Sequence, residues 1–430
     1  MRYMRLQDID KELYRHLFQG EFGIEKESLR VDAHGYLAST AHPKGLNERI
    51  SRDFSEGQVE FISGVYDDLE DACDEICNLQ CEVEAAIINR REGAEYMWTY
   101  SNPPLYQTKN NIRIAEFDGN TEGKTTYREY LAGKYGKVKM LFSGVHFNYS
   151  MPAKFFDLLL KRLPGKDLYW LKSEWYVRLC DVLMSDSWLL VALTAASPIA
   201  DGGFLKDLGV PEEEWDAYAS FRNGAYGYWN QFLPELSYAD FPSYLASIDG
   251  YVKQKAISSI QELYYPIRLK PSGENTLENL KENGVSHIEL RMLDLNPMCC
   301  SGVARRDLVF IHLLLVYRSA EILKNWRDWK REEPERERLL LHKAAARFSF
   351  LEENESYKKK ACGLIQDMRR FFLDAKRQRG AFFSKKYAVF DVLDFEEEKI
   401  LNPQKRYACQ LRENYRIDYI GARMREILEW

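Results

Sequence analysis

The stretch FGIEKESLRV, residues 22–31, decides the fold predicted for this chain. Apolar and polar residues alternate along it, and successive side chains of a β-strand point to opposite faces of a sheet. Glu25 and Glu27 would therefore share one face of a strand. The pattern predicts a strand that carries two carboxylates on one side.

Three further segments combine strand-like apolar residues with alternating polar ones: GQVEFIS (57–63), LFSGVHFNYS (141–150) and HIELRMLDLNP (287–297). His146 and Asn148 share a face of one segment, and Glu289 and Arg291 share a face of another. Glu60 lies between two apolar residues, so it faces away from that pair. The four segments together predict a sheet with a polar, acidic face.

Carboxylates gathered on one sheet face need compensating charge, because an unpaired charge held out of water is costly. Arg291 alone is too little compensation, so we expect a divalent metal ion together with a phosphorylated ligand. Hard oxygen ligands and one imidazole, from His146, suit Mg²⁺ or Mn²⁺ better than zinc. Each pair alone also fits an exposed edge strand, a hydrogen-bonded core histidine or a simple ion pair. Repetition over four segments favours the metal site.

Composition narrows the class of protein. The chain has 430 residues, is 45% hydrophobic and carries a formal net charge of −6, which gives no support for a nucleic-acid or anionic-membrane partner. The N-terminal residues lack the apolar core of a secretory signal, and the longest apolar runs are too short to span a bilayer. We therefore expect a soluble cytoplasmic protein.

The coarse pattern along the chain predicts two parts. Residues 1–301 alternate between strand-like and helical segments, whereas residues 302–430 have a helical period and a charged surface. We expect a catalytic α+β body at 1–301 and a helical C-terminal region at 302–430 packed on it as one structural unit. Within the latter, residues 324–343 predict a helix pair broken near Pro334.

Two further local patterns bear on the prediction of the site and of the sheet. GNTEGKT (119–125) resembles a phosphate-binding P-loop, yet three residues separate its glycines where the motif requires four. A flexible loop over the site is the better prediction there. The segment ISSIQELYYPIRLKPSG (257–273) predicts a strand that leads into a basic turn.

The cysteines show no zinc-binding pattern. Cys73, Cys77 and Cys81 recur every four residues, which places them on one face of a predicted helix. We expect them to be small buried residues rather than a ligand cluster. Cys299 and Cys300 are expected to be packed rather than bridged.

A family resemblance joins the segments into one interpretation. Nine ordered blocks carry it: GIEKESLRV (23–31), HPKGL (42–46), RDFSEGQVEFIS (52–63), MW and SNPP (97–104), TYREYLAGKYG (126–136), SGVHFNYS (143–150), SFRNGAYGYWN (220–230), ELYYPIR (262–268) and HIELRMLDLNP (287–297). The chain resembles bacterial glutamate–cysteine ligase, and in particular the ligase half of the bifunctional glutathione synthetases. The resemblance covers about residues 20–300, and the second, ATP-grasp half of such enzymes is expected to be absent.

The resemblance implies a fold and a site. The fold would be that of the glutamine-synthetase-like carboxylate–amine ligases, an α+β protein with a curved antiparallel sheet flanked by helices. The implied metal ligands are Glu25, Glu27, Asp53, Glu60, His146 and Glu289. Arg291 and Asn148 would contact the nucleotide, with Arg291 and Glu27 as catalytic residues. The implied amino-acid pockets comprise Phe54, Tyr127, Arg222, Tyr228 and Tyr264.

The implied reaction is the ATP-dependent ligation of L-glutamate to L-cysteine through a γ-glutamyl phosphate, the first step of glutathione biosynthesis, with Mg²⁺ or Mn²⁺ as cofactor. The expected partners are small molecules only, and a monomer is expected. Met140 stands where some relatives carry a glutamine that lines the cysteine site. A ligase that joins glutamate to another amine therefore stays open, as does an inactive paralogue that binds metal and nucleotide.

Overall fold

An antiparallel β-sheet organises the chain. In a computed structural model of the protein, its strands are β1 (Glu21–Asp32), β2 (Ile50–Arg52), β3 (Gln58–Ile62), β4 (Glu95–Trp98), β5 (Gly144–Ser150), β6 (Ile267–Lys270) and β7 (His287–Asp294). Their order is β2-β3-β1-β5-β7-β6, and β4 also pairs with β1. Every pairing in the described sheet is antiparallel. The predicted α+β class with an antiparallel sheet is confirmed.

The structure describes residues 11–117, 122–163, 165–326, 329, 334–379, 388–415, 420, 421 and 424. The α-helices in these ranges are α1 (Lys11–Leu17), α2 (Leu69–Ile87), α3 (Glu122–Tyr135), α4 (Ala153–Leu160), α5 (Leu168–Thr194), α6 (Gly202–Leu208), α7 (Phe241–Lys253), α8 (Leu277–Asn283), α9 (Arg305–Lys324), α10 (Glu335–Ala345), α11 (Phe350–Glu353), α12 (Glu355–Arg379), α13 (Val389–Leu401) and α14 (Tyr407–Tyr415).

Strand β1 shows how the sheet separates its two faces. Phe22 and Ile24 are buried, and Lys26 on the same side donates a hydrogen bond to Gln80 of α2. The alternate residues Glu25 and Glu27 line a cavity on the other side. The strand period of two therefore keeps the carboxylates together and turns their neighbours towards the helices.

Helix α5 forms much of the core behind the last strands of the sheet. Asp167 caps its first turn by accepting a hydrogen bond from the backbone N–H of Trp170, which satisfies an otherwise unpaired donor. Nearly every residue from Leu171 to Thr194 is buried, and the helix contacts β6 and β7. A helix that is buried on nearly all sides belongs in the centre of a protein. The apolar run at residues 188–194 is therefore part of a core helix.

The C-terminal helices pack on this core. Helices α9 and α10 contact α5, and α12 and α13 contact α9. A buried ion pair joins two of them, because Lys399 Nζ lies 2.9 Å from an Asp307 carboxylate oxygen. The division at residues 301 and 302 stays a prediction. For the helix pair predicted over residues 324–343, the structure shows α9 ending at Lys324 and α10 beginning after Pro334. Residues 327, 328 and 330–333 of this segment lie outside the described residues.

Two local predictions are wrong in detail. Residues 122–125 open helix α3 instead of forming a flexible loop, and 118–121 lie outside the described residues. The strand predicted over 257–273 is limited to β6, because a 3₁₀ turn at Ile260–Glu262 and then Pro266 precede it. Proline has no backbone N–H to donate to a strand ladder, so the strand begins after it.

Candidate active site

A polar cavity of about 460 Å³ opens over one face of the sheet. Its size suits a ligand of the dimensions of a nucleotide. The acidic groups on its wall, together with one histidine, are Glu25, Glu27, Asp53, Glu60, Glu289 and His146. The structure thus brings together all six residues that the resemblance implies as metal ligands, from parts of the chain up to 264 positions apart (289 − 25).

Strand register accounts for this meeting. Glu27 stands opposite Glu60 in the β1–β3 pair, and Glu25 stands opposite His146 in the β1–β5 pair. Asn148 stands opposite Glu289 in the β5–β7 pair. Directly opposed side chains lie on the same face within contact distance. The four segments singled out in the sequence are therefore the four neighbouring strands β3, β1, β5 and β7.

The first group within the cavity consists of Glu25, His146 and Glu289. His146 Nδ1 lies 3.2 Å from Glu25 Oε2 and 3.6 Å from Glu289 Oε1. One ligand atom from each residue fits within a span of 4.8 Å. Burial, with the charge of Arg291, lowers the pKa of His146 to about 4, so its imidazole is neutral at pH 7. Burial acts to raise the pKa of Glu25, but the hydrogen bond with His146 and the charges of His146 and Lys270 act together to lower that pKa to about 2.

The second group consists of Glu27, Asp53 and Glu60. Burial and the nearby charge of Asp53 raise the pKa of Glu27 to about 8. Burial, followed by repulsion from Asp53, Glu25 and Glu27, raises the pKa of Glu60 well above its ordinary range. Burial also raises the pKa of Asp53. These carboxyl groups gain a proton or a cation readily, because each disfavours the charge of the others.

Arg291 is one of several cations around the acidic residues. Six basic side chains line the same cavity: Arg52, Lys124, Arg128, Arg268, Lys270 and Arg291. Three of them surround Glu289, since Arg268 Nε lies 2.8 Å, Arg291 Nη1 2.9 Å and Lys270 Nζ 3.8 Å from its oxygens. Burial acts to raise the pKa of Glu289, yet the charges of Arg268, Lys270 and Arg291 hold that pKa well below its ordinary value. The need for a metal ion is therefore concentrated in the second group.

Sequence reasoning missed Arg268 and Lys270 as parts of the site. They alternate along β6, opposite Glu289 and His287 of β7. The alternation in IRLK (267–270) was available as a signal, but its significance depends on the pairing of β6 with β7. Arg52 comes from the end of β2 and Arg128 from α3, and nothing in their local sequence marks them as cavity residues. Lys124, also of α3, lies in the segment that resembles a P-loop, but that resemblance did not predict a place in this cavity.

Arg291 and its neighbours are held in a fixed arrangement. Arg291 donates to Glu289, and its backbone carbonyl accepts a 2.7 Å hydrogen bond from Arg222 Nη1. Arg222 is buried and lines a separate small cavity beside Tyr228, Tyr264 and Arg291. Asn148 donates a 2.9 Å hydrogen bond to Glu25 Oε1 and supports that carboxylate. The predicted roles of Arg222 in substrate binding and of Asn148 in nucleotide binding stay predictions.

One wall of the cavity is aromatic and apolar. Phe54, Tyr127, Tyr228 and Tyr264 line it together with Met140. The rings of Tyr228 and Tyr264 lie 4.3 Å apart, and the Tyr264 hydroxyl lies 3.9 Å from Met140 Sδ. All four aromatic residues predicted for substrate pockets therefore border the same space as the carboxylates.

The residues present fit a hard divalent cation. Nε2 of His146 is buried and has no hydrogen-bond partner among the described residues, and it lies 3.6 Å from Glu27 Oε1. Buried polar atoms are normally paired, so an unpaired imidazole nitrogen beside carboxylates is a site for a cation. Oxygen ligands dominate the set, as Mg²⁺ and Mn²⁺ prefer.

The fold of this chain is similar to the folds of two solved bacterial proteins. The glutamate–cysteine ligase from Francisella tularensis, solved in complex with AMP, matches 96% of this chain and 88% of its own with a TM-score of 0.78 and 21% identity. A bifunctional glutathione synthetase from Pasteurella multocida matches 96% of this chain and 53% of its own, with a TM-score of 0.76 and 24% identity.

Sequence comparison gives the family. The profile of the glutamate–cysteine ligase family matches residues 6–337, and the chain belongs to this family. A glutathione biosynthesis bifunctional protein of Clostridium perfringens is 33% identical over 98% of this chain and 55% of its own length. One from Listeria monocytogenes is 37% identical over 71% of this chain and 41% of its own. The chain spans about half the length of the curated relatives it matches.

Among the residues that the structure describes, no helix combines the length and the apolar character needed to cross a bilayer.

Proposed function

We propose that this protein ligates the γ-carboxylate of L-glutamate to the amine of L-cysteine, with hydrolysis of ATP to ADP and phosphate. The observation that carries the proposal is the meeting of Glu27, Asp53 and Glu60 with Arg291 in one cavity of a glutamate–cysteine ligase family member. Mutually repelling carboxyl groups bind a divalent cation, and the six basic residues around them suit phosphate and carboxylate oxygens.

The proposed chemistry has two steps. The γ-carboxylate of glutamate attacks the γ-phosphorus of ATP, which gives γ-glutamyl phosphate and ADP. The cysteine amine then attacks the acyl carbon, expels phosphate and loses a proton. Bound Mg²⁺, held by residues of the two acidic groups, would supply neutralising charge for the phosphate oxygens.

Residues of the chain supply orientation and charge. Arg291 presents a planar guanidinium that suits the oxygens of a transferring phosphoryl group, and Glu289 and Arg222 fix its position at both ends. Arg268 and Lys270 keep Glu289 ionised by their proximity. His146, neutral at pH 7, offers a nitrogen to the cation without adding repulsive charge. Phe54, Tyr228 and Tyr264 give the acceptor a partly apolar wall.

An ADP-release assay with Mg²⁺, glutamate and cysteine tests the proposal. We expect release only when both amino acids are present, and mass spectrometry should identify γ-glutamylcysteine as the product. Hydroxylamine in place of cysteine should give γ-glutamyl hydroxamate, because it traps an acyl phosphate. Failure to release ADP or phosphate with any amino-acid pair would favour the inactive paralogue and contradict the proposal.

A second candidate is a γ-glutamyl ligase with another acceptor, and Met140 favours it. Its thioether is buried at the cavity wall beside Tyr264, so the acceptor meets an apolar group there. Apolar pockets discriminate weakly between side chains that differ by one small group. Parallel assays with alanine, 2-aminobutyrate and polyamines decide between the two, since kcat/KM should be highest for cysteine under the first proposal.

A further inference from the structure

A group of thiols lies where helix α2 meets the segment after β7. Cys73 is buried, Cys77 and Cys299 are half-buried, and Cys81 and Cys300 are exposed. The prediction of small buried residues is therefore right for Cys73 and wrong for Cys81. The expectation that Cys299 and Cys300 are packed is wrong for Cys300, which is exposed, and both thiols are free.

This thiol group is not arranged as a metal centre. Among the described residues, the cluster with three converging ligand atoms is Glu25, His146 and Glu289 in the cavity, and no three cysteines form one. The side chains of Cys77 and Cys300 are instead joined by a hydrogen bond. Two thiols within hydrogen-bonding reach of each other can form a disulfide when their side chains turn towards each other.

A buried lysine holds the Cys300 segment in place. Lys26 of β1 is fully buried and donates a 2.5 Å hydrogen bond to the backbone carbonyl of Cys300. Gly302 has a φ of +78°, and a side chain there would meet Leu295, Val145 and Lys26 within 3.2 Å. The tight turn from Asn296 to Gly302 is closed by a 2.7 Å backbone hydrogen bond. The backbone at Cys300 is thus held beside α2, because Lys26 also donates to Gln80 of that helix.

The two thiols have different chemical characters. The hydrogen bond from Cys77 and the charge of Lys26 lower the pKa of Cys300 to about 7, against the effect of its partial burial. The hydrogen bond to Cys300, followed by burial, raises the pKa of Cys77. In the six other cysteines burial also raises the pKa. An exposed thiolate beside a less acidic, protonated thiol is the arrangement of an attacking and a resolving cysteine.

We propose that Cys77 and Cys300 form a thiol–disulfide exchange site that reacts with low-molecular-weight disulfides. The Cys300 thiolate attacks one sulfur of a disulfide RSSR, which breaks the S–S bond, forms a mixed disulfide on Cys300 and releases one thiolate that is protonated by water. Cys77 then loses its proton to water, attacks the Cys300 sulfur and releases the second thiolate. Two protein thiols are oxidised to a disulfide, and RSSR is reduced to two thiols.

Peptide mapping of the full chain tests the site. The reduced protein is incubated with glutathione disulfide, quenched with N-ethylmaleimide and digested. We expect one disulfide, between Cys77 and Cys300, with the six other cysteines alkylated. The variant Cys77→Ser should instead accumulate one glutathione adduct on Cys300, because the resolving thiol is missing. Cys81→Ser is the matched control, a neighbour on the same helix face, and should still form the disulfide.

Reaction rates give a second, independent measurement. Alkylation of Cys300 by iodoacetamide should rise to half its maximum near pH 7, and Cys81 should follow only at higher pH. A disulfide between Cys81 and Cys300, no disulfide with glutathione disulfide alone, or equal alkylation profiles would overturn the proposal. Because these measurements read bonds to sulfur, their failure is distinct from failure of the proposed ligase activity.

Discussion

The replacement Glu27→Gln tests the central electrostatic argument. It removes one charge from the acidic group while keeping the shape of the side chain, and an amide oxygen can still accept the 3.1 Å hydrogen bond from the Gly144 N–H. We expect two opposite effects: a more stable metal-free protein and a nearly inactive enzyme. A residue kept for structure alone would not produce that combination.

The magnitude follows from the raised pKa of Glu27, about 8 in the folded protein. Between its ordinary pKa of about 4.3 and that value, the unfolded state binds fewer protons than the folded state, so stability falls as pH rises. At pH 7 the raised pKa of Glu27 lowers the free energy of unfolding by on the order of 3 kcal/mol. The glutamine variant avoids this loss because its side chain does not ionise. For a chain of this length that difference is about 3 °C in Tm.

Thermal unfolding with EDTA or Mg²⁺, at pH values from 5 to 8, provides the assay. In EDTA the variant should melt above the wild type at pH 7, and the difference should shrink towards pH 5, where Glu27 is protonated at little cost. In Mg²⁺ the wild type should gain stability by ligand binding and the variant should gain less. Turnover of the variant should fall by about a hundredfold or more, because a ligand charge is lost.

The matched control is Glu353→Gln, an exposed glutamate on α11 that does not line the cavity. It should change neither the pH dependence nor the turnover. A metal-free Glu27→Gln protein that melts at or below the wild-type temperature at pH 7 would refute the repulsion argument. Normal turnover in that variant would remove Glu27 from the metal site.

Three further predictions concern the basic residues. Arg291→Lys keeps the charge but loses the planar fork, so steady-state kinetics should show kcat lowered by about 10- to 100-fold with little change in KM for ATP; an unchanged kcat would exclude Arg291 from the chemistry. Arg268→Met removes the arginine that lies 2.8 Å from the buried Glu289 carboxylate, so urea unfolding should show a free energy of unfolding lowered by about 3 kcal/mol. A decrease below about 1 kcal/mol would show that Lys270 and Arg291 are enough to neutralise Glu289. Lys124→Ala should change KM for ATP by less than about tenfold, because Lys124 belongs to a helix at the cavity wall and to no P-loop; abolished ATP binding would restore that interpretation.

Much of the site could be predicted because strand alternation is a local property. Glu25 and Glu27 share a face whatever β1 pairs with, and the same holds for Glu289 and Arg291. The balance between acidic and basic side chains in the cavity could not be predicted from the local sequence. Arg268 and Lys270 act on Glu289 through the pairing of β6 with β7, and α3 brings Arg128 to the cavity from elsewhere. Charges interact through space, so their sum depends on which segments become neighbours.

Local sequence was sufficient to specify the alternating strands, the apolar run within helix α5 and the ordered motifs that mark the family. Each of these depends on residues close together in the chain, whose periodicity sets the faces that they present. Tertiary structure alone decided which carboxylates repel each other, which are neutralised by arginine and lysine, and that Cys77 faces Cys300. Those outcomes depend on distances between residues that are far apart in the chain, and strand register and helix packing fix such distances only when the whole chain is folded.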